Sequence, residues 1–224
     1  MREIVLDTET TGLDPNAGHR VVELAALELL HGTPTGRSWH KYFNPDRDMP
    51  EEAFRVHGIS ASFLESHPRF EELADSLLEF LGDARLVIHN ADFDMRFLRA
   101  EFQRAGRPFA NDALCTMILA RRLFPGAQAS LDALCKRFGV DNSHRTLHGA
   151  MVDVDLLTAV YIELTGGRQR GLGLAAERSL DASGQPTRRQ RTPRPARPHQ
   201  PTEEELAAHA KLLDGFKTPP VWRQ

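Results

Sequence analysis

The spacing of apolar residues changes partway along this chain, and that change constrains its fold more than any single motif. The first stretch reads as extended chain. Ile4-Val5-Leu6 begins a short strand, Val21 to Leu30 a second and Ser38 to Phe43 a third. Gly12 with Asp14-Pro15, and the cluster His31 to Gly36, mark the turns, so the three suit an antiparallel meander. From residue 70 the period becomes helical. Phe70, Leu73, Ala74, Leu77, Leu78 and Leu81 make one stripe, closed by Gly82. Leu86-Val87-Ile88 then reads as a buried strand. Helical patterns follow over about 93–105, 116–123, 131–138 and 149–164. Strands first and mixed units afterwards predict an α/β domain.

That domain is expected to end at residue 167. Gly166-Gly167 closes the last helical pattern, and residues 168–201 hold many Arg, Pro, Gly and Gln with few large apolar side chains. Such a segment buries too little surface to offset its ordering entropy, so it reads as a flexible linker spanning roughly 30 Å. Order is expected again over 202–224. Thr202-Glu203-Glu204-Glu205 has the form of a capping box, with Leu206, Ala210 and Leu213 at helical spacing and Phe216 beside them. Pro219-Pro220 stops that helix, leaving Val221 and Trp222 near the end. A tail too short for its own core docks on a partner or folds back on the first domain; the long linker favours the partner.

Acids outnumber bases 31 to 28, for a net charge of −3. A nucleic-acid binder that relies on electrostatics alone is usually basic, so this chain needs a local remedy, such as a basic patch or bound cations. Cys115 and Cys135 do not form a Cys-x-x-Cys pair, which argues against a zinc site and against a disulfide framework. Met1 to Val5 enters a strand with no signal-peptide core, and no stretch of 18 apolar residues occurs. The expectation is a cytoplasmic protein without a membrane span.

Three groups of polar residues carry chemistry. In Asp7-Thr8-Glu9 the two acids are two apart on a strand and project to the same side. Side-by-side like charges repel, and hard divalent cations such as Mg²⁺ or Mn²⁺ reconcile them. His89-Asn90-Ala91-Asp92-Phe93-Asp94 follows a buried strand, where α/β sites open. Asp92 suits a helix N-cap there. His148 precedes Asp153 by five residues, about 140° around a helix. They converge if His148 sits before the helix and Asp153 faces inward, with Asp155 toward solvent. Each signal is weak singly; their order and context together make a constellation.

Asp7-Thr8-Glu9-Thr10-Thr11-Gly12, His89 to Asp94 and His148 to Asp153 resemble the three motifs of the DEDD exonuclease superfamily, His subtype. Pro50 to Ile59, Ser130 to Cys135, Asn142 to Ala150 and the tail Thr202 to His209 are similar to the proofreading (epsilon) branch that works with bacterial DNA polymerase III. The resemblance implies a ribonuclease H-like fold: a mixed five-stranded sheet with flanking helices, plus a flexible C-terminal tail. It implies 3′→5′ removal of mismatched DNA termini with two divalent ions, Mg²⁺ or Mn²⁺, releasing 5′-mononucleotides. Asp7, Glu9 and Asp153 would bind the metals, Asp94 assisting, and His148 would be the general base. Glu9, Thr10, Glu52, His57 and Asp153 would contact the terminal nucleotide.

The same resemblance implies partners. Gln169, Leu172 and Leu174 are similar to a sliding-clamp (beta) binding pattern, with Leu174 smaller than the residue usual at the last place. Leu206, Leu213, Phe216 and Trp222 would dock on the polymerase catalytic (alpha) subunit, the chain being one copy within a hetero-oligomer. Two other readings share some features: an RNA-processing exonuclease of the same superfamily, and a scaffold joining polymerase to clamp.

Overall fold

A computed structural model of the protein describes residues 1–143, 145, 147–166 and 200–216. The chain divides into two units, Met1–Leu172 and Gly173–Gln224. In the first, β1 (Arg2–Thr10), β2 (Val21–Leu30) and β3 (Thr33–Tyr42) pair antiparallel, as the meander reading expects. The turn between β2 and β3 is tighter than the sequence suggests. It is only His31-Gly32, both at positive φ (54° and 76°), so β3 begins at Thr33 rather than Ser38. Two left-handed residues match the twist of a hairpin.

Helices α1 (Glu51–His57), α2 (Ala61–Leu64) and α3 (Phe70–Leu81) come next, then β4 (Arg85–Ile88), α4 (Ala91–Arg104) and β5 (Ala113–Cys115). Helices α5 (Thr116–Leu123), α6 (Leu131–Phe138) and α7 (Ala150–Leu164) complete the unit. The sheet order is β3-β2-β1-β4-β5, with β4 and β5 parallel to β1. This is the mixed five-stranded sheet expected. The two short helices α1 and α2 were not legible as periodic stripes, and β5 is too brief to show a period.

Both faces of the sheet are covered, which is why β2 reads as a near-continuous apolar run. Ile4, Leu6, Leu24 and Ala26 pack with Phe70, Leu77, Phe97, Leu98 and Phe102 of α3 and α4. Val5, Ala25, Leu29 and Val87 pack with Leu134, Val154, Leu157, Val160 and Tyr161 of α6 and α7. Alternation along β1 therefore assigns Val5, Asp7 and Glu9 to the α7 face, and Thr8 to the α4 face.

In the second unit, α8 (Glu203–Asp214) begins at Thr202 with the expected capping box. Thr202 Oγ1 accepts from Glu205 N, and Thr202 N donates to Glu205. Leu206 and Phe216 are exposed, and Leu213 is buried. Gln169, Leu172, Leu174 and Trp222, with most of the expected linker, lie outside the described residues. Among the described residues no helix is long and apolar enough to cross a membrane.

Candidate active site

At the C-terminal end of β1 a cavity of about 770 Å³ gathers residues from four separate stretches of the chain. Asp7, Glu9 and Thr10 come from β1, Glu52 and His57 from α1, and Asp94 from α4. His148 comes from the loop before α7 and Asp153 from its first turns. Every catalytic, metal and nucleotide-contacting candidate named from sequence for this unit lines that cavity. The linker and tail candidates belong to the other segments.

Local chemistry explains each placement. The β1–β2 register sets Asp7 opposite Ala25 and Glu9 opposite Glu23, then shifts between Glu9 and Thr10. A shift of this kind commonly re-aims a strand end beside a site. Asp94 is buried on α4 and held by β1 itself: its Oδ1 accepts from Thr8 N at 3.1 Å and from Thr8 Oγ1 at 2.7 Å. Asn90, rather than Asp92, is the N-cap of α4, at φ 63° and ψ 49°. Asn tolerates this left-handed conformation better than most residues. Asp92 is exposed and pairs with Arg96 one turn along. Asp155 is exposed while Asp153 is buried, as the spacing argument requires.

The loop over the cavity is pinned. Arg20 Nε and Nη2 donate to the fully buried Glu101 of α4, and Nη2 also reaches Glu71. Thr11 N donates to Arg20 O at 2.9 Å. Gly12 is required by close packing, since a Cβ there would lie 2.4 Å from the His19 ring.

The electrostatics are unfavourable by design of the register. Burial, then the charges of Asp94 and Glu9, hold the Asp7 carboxyl well above the usual range. Burial and the facing Glu23 push Glu9 up to about 8. Asp94 rises to about 7 by burial, against the opposing pull of the Thr8 hydrogen bonds. Such clustering of raised acids in a cleft marks a functional site. One oxygen each from Glu9 and Asp153 and one His148 nitrogen lie within 4.8 Å of one another, close enough for one cation. Oxygen-rich donors of this kind suit a hard divalent ion.

His57 is buried, and burial lowers its pKa. Its Nδ1 accepts from Ile59 N at 3.0 Å, so the ring proton sits on Nε2. That Nε2–H is buried at the cavity wall and meets no acceptor at full hydrogen-bond geometry among the described residues, the Thr10 backbone being near enough only to offset part of the lowering. Glu52, by contrast, is exposed at the rim.

Two participants were missed from sequence. Glu23, buried on β2, accepts from Ala150 N at 3.1 Å and lies 2.7 Å from His40 Nε2. It caps α7, whose own N-cap is Gly149, and so anchors the helix that carries Asp153. The signal was one acid inside Val21 to Ala26. Arg145 sits in a stretch that resembles the proofreading branch. It grips both oxygens of Asp153, at 2.5 and 2.7 Å. No spacing argument reaches it.

Comparison with known proteins agrees with this fold. The Exonuclease (RNase_T) family model matches residues 4–161. A DNA polymerase III subunit epsilon from Rickettsia felis is 47% identical over 96% of this chain and 97% of its own. The subunit of that name from Escherichia coli is 42% identical, covering 95% and 92%. Among solved structures, Exonuclease X in complex with 5′ overhanging duplex DNA superposes with a TM-score of 0.57 at 27% identity, over 73% of this chain and 90% of that one. Exonuclease I of E. coli bound to a dT13 oligonucleotide gives 0.64 at 20% identity, covering 74% and 41%, a likeness of fold.

Proposed function

The chain belongs to the RNase_T exonuclease family and, within it, to the DNA polymerase III epsilon subunits, and on that premise we propose how its own residues divide the work. It is a 3′→5′ exonuclease that removes mismatched 3′-terminal nucleotides during DNA replication. Its superfamily generally uses divalent metal ions. The finer assignment is two ions, Mg²⁺ or Mn²⁺, held by Asp7, Glu9 and Asp153 with Asp94 assisting. When bound, such ions activate a water and stabilise the departing 3′-oxygen.

One observation carries this reading: Glu9 is buried and Asp7 half-buried and desolvated, beside further carboxylates that do not satisfy them. A structural role would demand a partner, and divalent cations are the partner that oxygen donors select. The rest follows from the chain. His148, half exposed at the mouth, takes the proton of the attacking water. His57 offers its Nε2–H, and Glu52 and Thr10 their oxygens, to the terminal nucleotide. Thr8 holds Asp94, and Glu23 holds the start of α7, so the acids are positioned before substrate arrives.

Titrating Mg²⁺ or Mn²⁺ against a primer with a mismatched 3′ terminus tests the assignment. Release of 5′-mononucleotides should begin from background and saturate with metal. Hydrolysis that persists unchanged in excess chelator would overturn it.

The partners follow the same premise. The tail docks on the catalytic (alpha) subunit through Leu206, Leu213, Phe216 and Trp222, and Gln169, Leu172 and Leu174 engage the sliding clamp, placing the chain in the cytoplasmic replisome. Exposed Leu206 on α8 and exposed Phe216 just after it support the first contact. Deleting residues 202–224 should leave hydrolysis of free single strands intact and abolish co-purification with the polymerase. Co-purification of the shortened chain would reject the docking role.

A further inference from the structure

Arg145 is enclosed, with a side chain only 10% exposed, and its guanidinium is fully engaged. Nε and Nη2 fork across the two oxygens of Asp153. Nη2 also lies 2.7 Å from His148 Nδ1, and Nη1 donates to Asp132 at 3.0 Å. These contacts have a consequence for the base. A guanidinium only donates, so Nδ1 of His148 must accept, and the proton of the neutral ring sits on Nε2. A ring in that state has no nitrogen free to take a proton from water. Yet Nδ1 also lies 3.3 Å from Asp153 Oδ2. With the guanidinium turned away, Nδ1–H donates to Asp153 and Nε2 carries the lone pair.

Arg145 also has somewhere to go. Asp132 on α6 is 58% exposed, already touches Nη1, and is steadied by Asn142 Nδ2 at 2.9 Å. We propose that Arg145 is a positioning residue that switches the site: seated across Asp153 it withholds both the carboxylate and the base, and its pivot onto Asp132 releases both to an arriving divalent cation. The inference rests on the metal reading of Asp153 given above. It adds that one protein cation is exchanged for a metal cation at the same oxygens, and that the exchange arms His148.

The full chain, free of DNA, provides the test through calorimetric Mn²⁺ binding and ¹⁵N chemical shifts of His148. Arg145→Gln removes the competing cation and should tighten Mn²⁺ binding about tenfold, the effect of losing one charge-assisted contact from the competing state. It should also move the His148 proton from Nε2 to Nδ1 in chelator. Asp132→Asn, at an exposed position outside the cavity, removes the resting place and should weaken Mn²⁺ binding about threefold, the scale of an exposed ion pair. A residue that merely braces the loop would weaken metal binding when lost and leave the tautomer where it was. Unchanged or weaker binding in Arg145→Gln overturns the switch, and so does unchanged binding in Asp132→Asn should the first variant not fold. Failure of the parent chain to bind Mn²⁺ at all would overturn the metal reading together with this one.

Discussion

Strand β1 carries buried acids at both ends of one face, and the two ends are treated in opposite ways. At the start, Glu3 is 6% exposed and fully answered: Arg85 donates to it through Nε and Nη2, and Tyr161 Oη donates at 2.9 Å. At the finish, Asp7 and Glu9 face Glu23, Asp94 and Asp153. Arg145, a cation that helps Glu9, is occupied by Asp153. Glu3 and Glu9 are similarly buried and Asp7 is half-buried; what separates the two ends is satisfaction. A buried acid with its partners supplied belongs to the fold, and one whose neighbours are other acids belongs to the chemistry.

Substitution at the two ends should separate stability from activity. Asp7→Ala should take Mg²⁺-dependent hydrolysis to background while the protein, in chelator, melts no lower than its parent, because a repulsive charge has been removed. A clear loss of melting temperature there would break the comparison. His148→Ala should slow hydrolysis about 10²–10⁴-fold near neutral pH without loss of fold; an unchanged rate removes it as the base. Glu3→Ala should do the reverse. It leaves Tyr161 and Arg85 without their acceptor and should cost about 1–3 kcal/mol in denaturant unfolding, with near-parental activity in the surviving folded protein. Parental stability would mean that the Glu3 end is as dispensable to the fold as the other.

The smallest effect is the dependence on pH. Glu9 at about 8 and Asp94 at about 7 hold protons when folded that an unfolded carboxyl, near 4.5 or 3.8, has already lost. The folded state thus binds more protons across the window from about pH 4 to 8, and stability in chelator should fall as pH rises through it. Added Mg²⁺ should flatten or reverse that slope, since metal binding requires the deprotonated acids. A melting temperature that climbs from pH 5 to 8 in chelator would contradict the raised carboxyls.

Much of the fold is legible in the sequence, for physical reasons. Periodicity showed the long elements because both faces of the sheet and one stripe of α3 must be apolar. Capping rules placed α8, because Thr202 and Glu205 answer each other's backbone within one turn. Local rules failed where the deciding contact is distant. Asp92 has the side chain of an N-cap, yet Asn90 takes the place because the turn after β4 demands a left-handed residue. Glu23 looked like an irregularity in an apolar strand, and its meaning lies in Ala150, 127 residues away. Arg145 gives no sign of its grip on Asp153, since a loop arginine reads as solvated until the fold encloses it.

His148 N donates to Val56 O at 3.0 Å, in the helix that carries Glu52 and His57, and Leu147 packs so close to Gly58 that a Cβ there would lie 2.7 Å from it. The wall of the cavity and the base are therefore a single lever with a short arm. A displacement of α1 is therefore passed to the backbone of His148, so damage to that wall should be read in turnover as well as in the affinity that Glu52 and His57 supply.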